Sequence, residues 1–88
     1  MAGMLGSDPQ DMADLASKLG NAIDQITQVM STLDSKASSV LWEGPDAKRF
    51  KGTEWPMSKK ALARVIADLG NVKTVVNKQM NEQITASR

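Results

Sequence analysis

The sequence predicts an all-α protein: an antiparallel helix–turn–helix hairpin that dimerises into a four-helix bundle. Three observations point there. Apolar residues recur at steps of three and four through two long stretches, the spacing of one helix face. A short Glu-Gly-Pro break separates the stretches. The apolar stripes are also wider than one facing helix can cover.

The first helix is expected over about 8–41. Asp8 can accept a hydrogen bond from the free backbone N–H groups of a helix start, Pro9 suits the first helical position, and Asp11 places a carboxylate near the positive end of the helix dipole. The seam then runs Met12, Leu15, Leu19, Ile23, Ile26, Met30, Leu33, Ala37 and Val40. It stops at Trp42-Glu43-Gly44-Pro45, which reads as a turn over 42–45. Gly tolerates positive φ and ends helices, and Pro often opens the next one. Two long helices joined by so few residues lie antiparallel.

The second helix is expected over about 46–84, with a kink near Pro56. A Pro inside a helix removes the bond to the carbonyl four residues back. The reading is therefore a short segment through Ala47 and Phe50, a break at 52–55, and a restart with Thr53 as the cap. The seam continues through Leu62, Val65, Leu69, Val72 and Val76, with Met80 and Ile84 beyond. Val29, Ile66 and Val75 widen the stripes. A lone hairpin leaves those flanks wet, and a second hairpin covers them most simply. The dimer or hairpin interface is assigned to Leu19, Ile23, Ile26, Met30, Leu33, Leu62, Val65, Ile66, Leu69, Val72 and Val76. Leu-Gly-Asn occurs at 19–21 and again at 69–71; it marks either a close helix crossing at Gly20 and Gly70 or a coincidence.

Composition excludes most chemistry. At 88 residues the chain forms one domain, and chains this small often oligomerise for want of core. It contains no Cys and no His, so the usual nucleophile–base sets and the commonest transition-metal ligands are missing. No catalytic residue, metal or cofactor is expected, and the protein is not expected to be an enzyme. Asp11 and Asp14 share a helix face, but no third group converges on them, and a catalytic carboxylate pair needs burial to separate its pKa values. Net charge is +1, with residues 1–41 at −3 and residues 42–88 at +4, as in two arms that attract. The basic stretch 48–64 reads as a solvated face. The alternative is an intracellular helical module that binds an anionic partner such as nucleic acid through it; nucleic acid is not the expected partner, because stacking aromatics do not interleave the charges. No apolar run reaches the ~18 residues of a membrane span, so no membrane insertion is expected. The start, Met1 to Gly6, lacks the charged and apolar regions of a signal peptide.

Trp42-Glu43-Gly44 sits mid-chain between two long helices, followed by Ala47, Phe50, Trp55 and a Leu-rich helix. That arrangement resembles the Trp-x-Gly (WXG) family, the early-secreted-antigen-like small proteins. The resemblance covers nearly the whole chain. It makes Trp42 and Gly44 the turn motif, and Ala47, Phe50 and Trp55 the packing associated with it. It implies a hairpin that pairs with itself or with a second WXG-type protein, and in some members accompanies a larger type VII effector or toxin. It also implies secretion without a cleaved signal peptide, cytoplasmic before export, through a secretion ATPase reached by the complex. The family's tail signal, Tyr-x-x-x-acid, is not matched: the chain has no Tyr, and Lys78 stands four before Glu82. The expectation is therefore export with a partner that carries the signal.

Overall fold

The structure, a computed structural model, describes residues 6–86. The expectations about the first residues of the chain, 1–5, and the last of its tail, 87–88, lie outside the described residues. All elements are helical: α1 (Pro9–Ser39), α2 (Pro45–Arg49), a single π-helical turn (Phe50–Glu54) and α3 (Trp55–Ala86). Asp8 caps α1 through its side chain, which accepts from the Gln10 N–H at 2.8 Å. Pro9 stands at the helix start, where its missing N–H costs nothing.

α1 ends at Ser39, two residues before its expected end. Val40 turns to an extended conformation (φ −64°, ψ 134°), and its N–H closes the last turn on the Lys36 carbonyl at 2.9 Å. The freed Val40 carbonyl accepts from Lys51 Nζ at 3.2 Å, so a side chain of the second arm replaces the lost helical bond.

The second arm is continuous. Thr53 does not cap a restarted helix. Arg49 and Trp55, which flank the π turn, both keep right-handed helical angles. The Trp55 N–H reaches the Phe50 carbonyl, five residues back instead of four. A π turn holds one extra residue and opens the hydrogen-bond ladder locally. The carbonyl that Pro56 cannot serve, that of Gly52, lies inside this widened turn, so the ladder is loosened there and not broken.

α1 and α3 pack antiparallel into a rod of 64 × 16 × 15 Å. Asp34 meets Trp55 near the turn, Gly20 meets Lys73 midway, and Ser7 meets Gln83 at the open end. Along α1 the residues turned inward are Met12, Ala16, Leu19, Ile23, Ile26 and Met30; along α3 they include Leu62, Ile66, Leu69, Val76 and Met80. Among the described residues only Ala16, Ala47, Trp55 and Val76 are buried. Leu15, Leu33, Val65 and Val72, which the apolar spacing places on the seam, are exposed. The inward positions of each helix recur as a heptad, and these four mark its outer flank. The two Leu-Gly-Asn segments make no close crossing. A Cβ on Gly20 meets the Lys73 ammonium, and one on Gly70 meets nothing within 4 Å.

Candidate interaction surface

The turn is built around one glycine. Gly44 has φ +112° and ψ 179°, and no other described residue has positive φ. That region of backbone space is essentially closed to residues with a Cβ. The conformation reverses the chain and lets the Gly44 carbonyl accept from the Lys48 N–H at 3.1 Å, starting α2. Ala47 then turns inward and is buried.

Three aromatic rings gather beside the turn. Trp42 lies against Phe50 with ring centroids 5.7 Å apart and planes tilted by 45°, a favourable offset for two quadrupoles. Trp42 is still 42% exposed, so Phe50 covers only part of it. Trp55 is buried, and its indole N–H donates to Asp34 Oδ1 at 2.9 Å. The other Asp34 oxygen accepts from Lys59 Nζ at 2.9 Å. The indole bond, then the ammonium, hold the Asp34 carboxyl below the ordinary carboxylate range. Asp34 and Lys59 thus tie the two arms together next to the buried ring. Residue spacing places Lys59 only in the basic stretch 48–64 and gives Asp34 no role. The available signal was Trp55 itself, because a buried indole N–H needs an acceptor, and Asp34 lies on the flank of the α1 seam at the right level.

Trp42 separates two open grooves. One, of about 900 Å³, runs along Gly44, Lys48, Lys51 and Gly52. The other, of about 560 Å³, is lined by Leu33, Lys36, Val40, Trp42, Phe50 and Ser58 among others, and its walls are almost wholly apolar. The second groove opens onto a longer apolar strip. Lys36 is the last of a seven-residue series with Leu15, Ala22 and Val29, and Ser58 is the first of one with Val65 and Val72. Residues seven apart stand on one helix face. Lys36 and Ser58 border the same groove, so both series line one side of the hairpin. Leu15, Val29, Leu33, Val65 and Val72 are each more than two-fifths exposed on that side.

The interface residues expected from sequence therefore divide. Leu19, Ile23, Ile26, Met30, Leu62, Ile66, Leu69 and Val76 turn toward the other arm; Leu33, Val65 and Val72 turn outward. Among the described residues no cluster of three or more His, Cys, Asp or Glu could hold a metal, and no helix is long and apolar enough to cross a membrane. No protein-family model matches this sequence, and no curated protein or solved structure is significantly similar to it.

Proposed function

We propose that this chain is a non-enzymatic substrate or adaptor of type VII secretion, acting as a helical hairpin that packs against a second hairpin in a four-helix bundle. The observation that supports it most is the apolar strip from Leu15 to the aromatic groove, which a lone hairpin leaves in water. A strip this continuous on one side of a soluble rod marks an interaction face. The Trp42-x-Gly44 turn, with Ala47, Phe50 and Trp55 packed behind it, supports the resemblance to WXG proteins. The partner is a copy of the chain or a second WXG-type protein, with a larger effector in some settings, and the secretion ATPase is reached through the complex. The basic stretch is a weaker basis for an anionic partner. Arg49 is paired with Asp46, Lys59 with Asp34, and Lys51 with the Val40 carbonyl.

The test is expression in a bacterium with an intact type VII system and in the same strain lacking its secretion ATPase. The expected result is the chain in the medium with its N-terminus unprocessed, only in the intact strain. Equal release from both strains, or retention in the intact strain when short WXG partners are co-expressed, refutes the secretion reading.

A further inference from the structure

We propose that the apolar groove beside the turn is a binding site for a free long-chain fatty acid. Lys36 and Ser58 hold the carboxylate, and the chain lies between Trp42, Phe50 and Leu62. The site belongs to the hairpin itself, so it does not depend on what the hairpin pairs with.

The groove is a built hollow. Its volume of about 560 Å³ falls within the roughly 300–1,000 Å³ of small-molecule sites. Both arms and the turn contribute to it, and each wall is fixed from behind. Trp42 leans on Phe50 at 5.7 Å. Trp55 is held by Asp34 at 2.9 Å. Lys51 ties down the Val40 carbonyl at 3.2 Å. Walls held in this way are not ordered by the ligand, so little binding free energy is lost to that step.

Charge selects the class of ligand. Lys36 is the one charged residue that lines the groove besides its apolar walls, and no Asp or Glu does. Asp34, two residues away, has both oxygens committed, one to Trp55 and one to Lys59. Glu43 lines two other hollows at the turn and not this one. One turn to either side of Lys36 stand Thr32, Leu33, Ser39 and Val40, none of them acidic. Among the described residues no ion pair involves Lys36. The walls are nevertheless almost wholly apolar, so Lys36 lends them its methylene stem and keeps its ammonium at the rim. Ser58 stands on the opposite lip. Its hydroxyl, unlike those of Thr27, Ser38, Ser39 and Thr74, is not spent on the helix backbone. One ammonium and one hydroxyl supply a donor to each oxygen of a carboxylate. A phosphate monoester carries nearly two charges and would meet only one cation here. Past Leu33 the hollow continues into the exposed strip, which gives a long chain its path.

Both tryptophans of the chain line the groove, so their fluorescence reads its occupancy directly. The full-length protein is titrated with a dibrominated stearate below its micelle concentration, since bromine quenches an indole only at close contact. Quenching should saturate at one molecule per hairpin, and the brominated alcohol of the same chain length should bind more weakly. Lys36→Gln should weaken binding of the acid about fivefold, the worth of one partly exposed ion pair, and leave binding of the alcohol unchanged. Ser58→Glu, which sets a carboxylate opposite the head group, should weaken the acid at least as much. Both positions are exposed, and circular dichroism should show both variants as helical as wild type. The comparison of acid with alcohol on the wild-type chain decides the point even where a variant folds poorly. Quenching that never saturates, or acid and alcohol bound equally tightly, overturns the fatty-acid site. So does a Lys36→Gln chain that binds the acid like wild type, or quenching seen only with phosphatidylglycerol vesicles that carry brominated chains.

Discussion

A Cβ on Gly44 would touch nothing within 4 Å, so whatever a substitution costs there comes from the backbone alone. Its φ of +112° with ψ near 180° is outside the left-handed helical basin that Asn tolerates. Gly44→Ala, Gly44→Asn and Gly44→Val should therefore all cost about 1–3 kcal/mol, with Asn no better than Ala. Urea denaturation of the three variants measures this; a mild Asn variant would mean a left-handed turn in its place. Asp34 gives a second residue-scale expectation. Its pKa is lowered in the folded chain, first by the Trp55 indole and then by Lys59. A lowered folded pKa adds stability above the unfolded value, here the ordinary 3.8, that is lost as pH falls through the folded value. Wild-type stability should thus drop below about pH 4, while Asp34→Asn flattens that part of the profile. Asp34→Ala should be the less stable of the two at pH 7. It leaves the buried indole N–H without an acceptor, and an Asn carbonyl still supplies one. Thermal melts across pH 2–7 on the three chains decide it.

At the scale of the helices, three of the six glycines lie within the two arms, and they are not equivalent. Gly52 and Gly70 face open space, so a methyl group there meets nothing. Gly in a helix interior costs up to about 1 kcal/mol relative to Ala, so Gly52→Ala and Gly70→Ala should each stabilise the chain by roughly 0.4–1 kcal/mol. Gly20 differs, since its Cβ would stand 2.8 Å from the Lys73 ammonium. That contact is with the flexible end of a side chain, so Gly20→Ala should be close to neutral. Chemical denaturation of the three single variants would rank them; destabilisation at Gly70 would reveal a close neighbour on that face. The same elements show how much was legible in the sequence. The long helices and the turn follow from local rules: Asp8, Pro9, the three-and-four spacing and Gly44 each act within a few residues of themselves. The region around Pro56 did not follow. A π turn is a choice between two ladders of nearly equal cost, and residue types do not announce it. The inward face was displaced as well. Apolar spacing favours the larger Leu15 over Ala16, yet Ala16 is the buried one, because a small residue lets the arms approach. Asp34 and Lys59 were invisible as a pair, since their meeting depends on the register between arms and not on either neighbourhood.

As a whole molecule the hairpin is a rod with little interior. Its radius of gyration is 19.5 Å, where a compact chain of this length has about 12 Å. No described side chain is completely enclosed, and only four hydrophobic residues are buried at all. A single layer of contacts between two helices is marginal on its own. Folding and association should therefore be coupled, and the melting temperature should climb with protein concentration. Circular dichroism melts over a hundredfold range of concentration would show this; a melting temperature independent of concentration would mean the hairpin is stable alone.

The 3.4 Å hydrogen bond from the Ser7 N–H to Gln83 Oε1, set against the fully exposed Leu41 at the opposite end, bears on how the chain is connected. Nothing in the seam depends on the peptide bonds between Val40 and Glu43; the arms are held by side chains that would remain in place if the link were cut. A protease that prefers large apolar residues should nick the chain at Leu41 or Trp42 long before it enters either helix. The two pieces should stay together through native chromatography and separate only in denaturant. By the same logic, a circular permutant that joins the two ends near Ser7 and Gln83 and opens at Leu41 should keep its helical content. The turn would then act as a hinge pin that can be withdrawn after assembly, which makes the two arms natural halves for a split reporter.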